Sequence, residues 1–454
     1  MTADEGTTTT TTTTISTGAA ALGTSIGRAA QSAVYRAGVI GRRPAVPVAF
    51  PALERAARRR LSRTAFAYIA GSAGLERTDA ADTAAFGRHR IVPRVLRDVA
   101  ERDLTVDLFG RTVPAPVLLA PIGVLELARR GGDIAAARAA AALGIPFTIS
   151  TQASAPMEAV AAAMDATRPG APRWYQLYWS SSRDLVASLV ARAEACGCEA
   201  IVVTLDTHVL GWRPRDLDLG YLPFSRGRGI AQYTSDPVFR ELVRERMASS
   251  VPRERTPITP AAIASFAGIV RRHPGALRKG LRSGEPLAAV ETFLDVFADP
   301  SLGWDDLAFL RARTRLPIVL KGVLHPDDAR RAVDAGVDAV QVSTHGGRQI
   351  DGEVAALDAL PGVVEAVAGR MPVLFDSGIR GGADAVIALA LGARSVAIGR
   401  PYAYALAVAG ERGVRELLRN VMAELDITLG LAGVRRAADL DGSVLAGREP
   451  APGP

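Results

Sequence analysis

Short, continuous apolar runs recur from Val117 onward, each followed by a loop and then by a segment with helical spacing. They are Val117-Leu118-Leu119-Ala120, Phe147-Thr148-Ile149-Ser150, Tyr175-Gln176-Leu177-Tyr178, Ile201-Val202-Val203-Thr204-Leu205, Pro317-Ile318-Val319-Leu320-Lys321, Val340-Gln341-Val342-Ser343, Val373-Leu374-Phe375-Asp376 and Val396-Ala397-Ile398-Gly399. Each is too short for a helix and lacks the alternation of a half-exposed strand, which predicts parallel strands covered on both faces. The intervening stretches, Ala329 to Ala335 and Ala383 to Leu391 among them, carry the Ala/Leu/Val spacing of helices. Eight such units predict an α/β fold, a (β/α)8 TIM barrel, and the patterning from Pro51 predicts a helical segment before it.

One interval breaks the rhythm. Over a hundred residues separate Leu205 from Pro317, where a crossover needs about thirty. This predicts a long loop after strand 4, inserted at about 213–303. It leaves from the barrel end where active sites are built, which makes it a candidate lid. The polar, basic stretch from Ser249 to Arg282 leaves a disordered insert as the other reading. The unbroken Thr7 to Thr14 tract and the Gly/Ala/Ser-rich residues after it predict a flexible extension over 1–45. The barrel then occupies 46–440, and 441–454 form a tail.

Composition narrows the function classes. Of the 454 residues 48% are apolar, yet no apolar run approaches the roughly 18 residues of a membrane span. The net charge of +7 comes from arginines scattered among acids, with one dense basic run at Arg58-Arg59-Arg60 beside Arg55 and Arg63. That pattern argues against nucleic acid as a partner. Cys196 and Cys198 match neither a metal site nor a redox pair, so they read as unpaired thiols. The start, Met1 to Glu5, lacks a basic region and an apolar core, so a cytoplasmic location is expected. Lysine occurs only at Lys279 and Lys321, and the second lies in an apolar strand.

The C-terminal ends of the strands are where a barrel places its chemistry. They carry Ser150, Gln176 with Tyr178, Thr204 with Asp206, Lys321, Ser343 with His345, Asp376, and Gly399 with Arg400. The last two strands run into Asp376-Ser377-Gly378-Ile379-Arg380-Gly381-Gly382 and Gly399-Arg400-Pro401. Glycines admit a phosphate to the backbone, helix N-termini favour its charge, and arginine supplies a fork, so a phosphate is expected there. His345, one of five histidines, sits at a strand end between small residues and close to Arg348, which suits a catalytic base beside a carboxylate clamp. Asp206 is placed to stabilise the imidazolium. Lys321 fits either a Schiff-base lysine or a charge held against a cofactor, and its place among the cofactor-type residues favours the second.

Together with Tyr68-Ile69-Ala70-Gly71, Pro93-Arg94, Ala120-Pro121-Ile122-Gly123, Thr204-Leu205-Asp206-Thr207, Leu320-Lys321-Gly322 and His345-Gly346-Gly347-Arg348-Gln349, these segments resemble the FMN-dependent 2-hydroxy-acid dehydrogenases, the glycolate oxidase and lactate oxidase family, in order from about Pro51 to Leu440. Gly211 to Leu217, Leu222-Pro223-Phe224, Tyr233 to Phe239 and the long loop are most similar to the lactate 2-monooxygenase branch. The resemblance implies FMN held by Pro121, Ile122, Gly123, Ser150, Gln176, Thr204, Lys321, Ser343, Asp376, Gly378, Arg380, Gly399 and Arg400. It implies Tyr68, Tyr178, Arg213 and Arg348 as substrate ligands, with His345, Asp206 and Tyr178 as the catalytic group and no metal. The implied reaction is oxidation of a small L-2-hydroxy acid such as lactate with oxygen as acceptor, giving acetate, CO2 and water. An oxidase releasing the 2-oxo acid and peroxide, a dehydrogenase with another acceptor and a flavin-binding scaffold are the alternatives. A homotetramer or octamer is implied as well. Two positions depart from the family pattern: Thr344 stands where Asn is usual, and Ser72 where Gly is usual.

Overall fold

The computed structural model describes residues 25–249, 257–275 and 277–447. Eight parallel strands, β1 (Val117–Leu119), β2 (Phe147–Ile149), β3 (Arg173–Tyr178), β4 (Ile201–Thr204), β5 (Ile318–Lys321), β6 (Ala339–Val342), β7 (Val373–Phe375) and β8 (Ser395–Ile398), close a barrel in chain order, with β8 pairing back onto β1. The barrel and its ring of helices are the expected (β/α)8 fold. Tyr178 pairs with Thr204, and Thr204 pairs with Lys321, so polar strand ends lie at one level around the mouth.

The strands are buried throughout, but their two faces differ. Outward residues such as Leu119, Ile149, Leu177, Val203, Leu320, Val342 and Phe375 pack under the helices in one apolar cluster. Inward residues Leu118, Trp174, Val202, Val319, Ala339, Leu374 and Ala397 form a second, smaller one. One step further along six of the strands the inward positions become Ser150, Gln176, Thr204, Lys321, Gln341 and Asp376, all buried. The barrel interior is therefore dry at its N-terminal end and polar at its C-terminal end. A hairpin of Val106–Leu108 and Arg111–Val113 closes the dry end, with Phe109 5.5 Å from the Trp174 ring.

The helical segment before the barrel comprises Phe50–Arg60, Arg63–Ala70 and Arg77–Phe86. After β8 the chain enters the helix Arg400–Leu431, kinked at Ala409-Gly410. Tyr402 Oη donates to Ala120 O at 2.9 Å, which fixes the start of this helix to the end of β1.

The long loop after β4 is largely helical where it is described, with Pro237–Ala248, Pro260–Arg272, Leu277–Ser283 and Glu285–Val296. Its polar surface conceals an aromatic core in which Tyr233 packs on Phe239 and Phe293, and Phe293 on Phe224 and Phe297. Glu126, just past β1, pairs with Arg228 at 3.1 Å and Arg272 at 3.4 Å and ties the insertion to the barrel.

Residues 1–24 lie outside the described residues, as do 448–454 of the tail. The rest of the segment expected to be flexible differs from that expectation, because Ile26–Val39 is a helix packed on the last long helix. The contact needs a glycine: a Cβ at Gly27 would stand 2.4 Å from Ile427. Gly27 N donates to Asp426 Oδ2 at 2.8 Å, and Arg102 binds the same carboxylate at 2.8 and 3.0 Å. No helix among the described residues is long and apolar enough to cross a membrane.

Asp426 is 3% exposed in its side chain and Arg102 13%. Asp426→Ala strands the guanidinium and is expected to cost about 3 kcal/mol or more. Denaturant unfolding measures the loss, and faster proteolysis within residues 26–39 accompanies it.

Candidate active site

The strand ends and the insertion surround an open-mouthed cavity. Of the residues singled out in the sequence, Tyr68, Pro121, Ile122, Gly123, Tyr178, Arg213, Lys321, His345, Arg348, Asp376, Gly378, Arg380, Gly399 and Arg400 line it. Ser150, Gln176, Thr204, Asp206 and Ser343 do not reach the lining but connect to it by hydrogen bonds. Ser150 Oγ donates to Gln176 Oε1 at 2.8 Å, and Gln176 Nε2 donates to Thr204 Oγ1 at 2.9 Å. On the other arc Lys321 Nζ donates to Ser343 Oγ at 2.8 Å and lies 3.3 Å from Asp206 and 3.5 Å from Asp376.

His345 Nδ1 is 2.7 Å from Asp206 Oδ1. A carboxylate there accepts a hydrogen bond from Nδ1–H, which leaves Nε2 as the nitrogen with a free lone pair. Burial would raise the Asp206 pKa, but the His345 and Lys321 charges outweigh it and hold the carboxyl well below the usual range. Burial pushes the His345 imidazole below its ordinary value of 6.5, aided by Lys321 and opposed by Asp206. The pair at neutral pH is thus a carboxylate beside a neutral imidazole, a base with its countercharge in place. Burial also works against the Lys321 ammonium, yet Asp206 and Asp376 overcome it and keep the amine charged. A Schiff base requires a neutral amine, so the structure favours the other reading of this lysine, a fixed cation at the cavity wall.

Two arginines meet at the mouth beside His345. Arg348 lies with its guanidinium carbon 5.1 Å from the centre of the Tyr68 ring and donates to the Tyr68 and Gly71 carbonyls at 2.7 and 2.6 Å. Arg213 donates to Arg348 O at 3.0 Å and to Gln349 Oε1 at 2.8 Å. Burial and the neighbouring Arg213 charge lower the Arg348 pKa to about 9, against the pull of Tyr68 and Asp216. Burial raises Tyr68, and raises Tyr178 to about 12, so both phenols remain hydrogen-bond donors. Leu210, Phe224, Phe297 and Ile122 add an apolar wall.

The buried Arg380 guanidinium, also on the cavity lining, has no partner for its Nε. Gly399 faces open space, and Gly378 and Ser377 take left-handed backbone at φ +80° and +81°. Asp384 and Glu424 already occupy the backbone N–H groups of Arg380, Gly381 and Gly382. Arg400 binds Asp79, Gly346 O and Ser72 Oγ at 2.9, 2.9 and 2.7 Å. The unsatisfied donor on Arg380 and the open face at Gly399 fit a phosphate, and the cavity runs from there to Lys321 and His345, so FMN fits the residues present.

Sequence reasoning missed several contributors. Gln341 Nε2 donates to Asp376 Oδ2 at 2.7 Å; its place two residues before Ser343, on the same face of β6, was the available signal. Thr207 and Gln152 reach the cavity from loops, Phe224 from a short 3-10 helix and Phe297 from the end of the helix Glu285–Val296, none of which carries such a periodicity. Both departures from the family pattern are buried and bonded. Ser72 Oγ donates to Gly346 O at 3.3 Å, and the Thr344 hydroxyl donates to Asp82.

Comparison with known proteins agrees with this geometry. The family described as FMN-dependent dehydrogenase matches residues 57–447. An L-lactate oxidase of Lysinibacillus sphaericus is 41% identical over 387 residues, covering 85% of this chain and 89% of that protein. An L-lactate dehydrogenase of Caulobacter vibrioides is 39% identical over 402 residues, covering 88% and 97%. A crystal structure of mandelate oxidase with (S)-4-hydroxymandelic acid superimposes with a TM-score of 0.70 at 36% identity, covering 88% and 98%. A barrel of this topology and a family match over residues 57–447 together establish that the chain belongs to the FMN-dependent dehydrogenase family, enzymes that oxidise 2-hydroxy acids.

Proposed function

We propose that this enzyme oxidises a small L-2-hydroxy acid, L-lactate first, with oxygen as acceptor, and that it acts as a lactate 2-monooxygenase. The observation that carries the reading is the shared construction of the substrate end of the cavity. Barrel residues His345, Arg348 and Tyr178 line it together with Arg213, Phe224 and Phe297 from the chain between β4 and β5.

In this reading Arg213, Arg348 and the Tyr68 phenol hold the carboxylate, which orients the carbinol toward Tyr178 and His345. His345 Nε2 takes the proton released on oxidation, and Asp206 stabilises the imidazolium through Nδ1. FMN, when bound, accepts the electron pair. Arg380 with the Gly378 and Gly399 backbone would hold its phosphate, and Lys321 would place a positive charge beside its ring. The aromatic wall from the insertion excludes water.

The same wall bears on the fate of the products. Retained together, the 2-oxo acid and hydrogen peroxide react: lactate and O2 become acetate, CO2 and water. Early release instead yields pyruvate and peroxide, as in an oxidase.

L-Lactate added without air is expected to bleach the flavin, and admission of air to yield acetate with little free peroxide. Pyruvate and peroxide in equal amounts would replace the monooxygenase reading by the oxidase one. Bleaching with no oxygen uptake points to another acceptor, and a flavin that no short 2-hydroxy acid bleaches contradicts the whole assignment. His345→Ala is expected to retain FMN and to be reduced at least about a hundredfold more slowly in stopped flow. Because the imidazole pKa is depressed and the neutral form is the base, kcat/KM holds as pH falls through 6.5 and declines only below it; a pH–rate profile checks the position of that limb.

A further inference from the structure

His345, Gly346 and Gly347 stand in succession in left-handed backbone, at φ +55°, +65° and +69°. Glycine adopts that conformation freely and histidine does not, so the surroundings must hold the base there. Ser377 Oγ supports one side, accepting from Thr344 N and Gly346 N at 3.2 Å each.

The other side is held by Asp82, a carboxylate on the helix Arg77–Phe86 that does not line the cavity. Its Oδ2 accepts from the Thr344 hydroxyl, and its Oδ1 accepts from Ala356 N at 2.9 Å. Thr344 Oγ1 in turn accepts from Gly347 N at 3.2 Å. Asp82 and Thr344 are each 1% exposed. The helix presses directly on both loops: a side chain on Gly347 would meet Asp79 N at 2.6 Å, and one on Gly378 would meet Asp82 O at 2.5 Å.

We propose that Asp82 is a positioning residue for the base, fixing through the Thr344 hydroxyl the strained backbone that carries His345. The proposal rests on His345 being the base. Burial pushes Asp82 up to about 6, against the bonds from Thr344 and Ala356. The groups facing it are Asp79 on its own helix, Asp376 beyond β7 and Glu353 ahead of the helix Ala356–Val367. At neutral pH it is a carboxylate, able to accept both bonds at once.

The test uses the full-length holoenzyme and anaerobic flavin reduction by L-lactate in stopped flow, with Asp82→Ala, Asp82→Asn, Thr344→Val, the Asp82→Ala/Thr344→Val double variant and His345→Ala side by side. Asp82→Ala and Thr344→Val are each expected to lower the limiting reduction rate at least about tenfold. The half-saturating lactate concentration moves less than about threefold, and the flavin absorbance is unchanged. Asn offers an oxygen to Ala356 N–H and an amide donor to Thr344, so Asp82→Asn recovers most of the rate. The double variant is no slower than the slower single one, because both changes remove the same contact.

Wild-type reduction rates in Asp82→Ala and Thr344→Val, with His345→Ala slow, overturn the proposal. Losses that multiply in the double variant overturn it as well. Normal reduction in His345→Ala removes the base assignment itself, a separate failure. Should Asp82→Ala not fold, Thr344→Val, close in shape to the parent residue, decides the matter alone.

Discussion

The site depends on one negative charge, the Asp206 carboxylate held between His345 at 2.7 Å and Lys321 at 3.3 Å. A buried carboxylate is stable only when its charge is matched and its oxygens are bonded. Here the match comes from two functional groups at once. The ammonium of Lys321 is held charged by the same carboxylate that prepares the imidazole to receive a proton. The strand register makes this possible: Thr204 and Lys321 are paired across β4 and β5, and Asp206 lies two residues past Thr204.

The rest of the molecule serves to keep that arrangement in place around the cavity. The left-handed run at His345 is braced by Ser377 after β7 and by the helix Arg77–Phe86 ahead of the barrel. Arg400, at the start of the last long helix, joins Ser72, Asp79 and Gly346 O in a second brace. The N-terminal helices are therefore part of the active site's support. The insertion contributes in the other direction, adding Arg213 and an aromatic wall above groups that the barrel alone leaves open.

The fold was legible because parallel strands buried on both faces leave unbroken apolar runs, and all eight runs coincide with barrel strands. The polar strand ends were legible for the same reason, since Lys321 or Asp376 closing an apolar run has no place in a dry core. What the runs concealed was parity. Outward residues are apolar except for Arg173, while inward residues change from apolar to polar along most strands, and Gln341 went unnoticed inside its run. Asp82 was illegible because its partners Thr344 and Ala356 lie 262 and 274 positions away, and a lone acid on a short helix carries no signal of its own. The helix Ile26–Val39 was obscured by a small-residue composition that suggests a linker, whereas Gly27 is what allows its close approach to Ile427.

The sharpest test is the flavin-reduction rate of Asp206→Asn with L-lactate, measured across pH beside the parent enzyme. An uncharged amide cannot stabilise the imidazolium, so reduction is predicted to slow at least about tenfold. Because Asp206 raises the His345 pKa, its removal lets that pKa fall further, and the acid limb is predicted to move to lower pH. An Asp206→Asn enzyme with the parent rate and the parent pH profile would contradict the account.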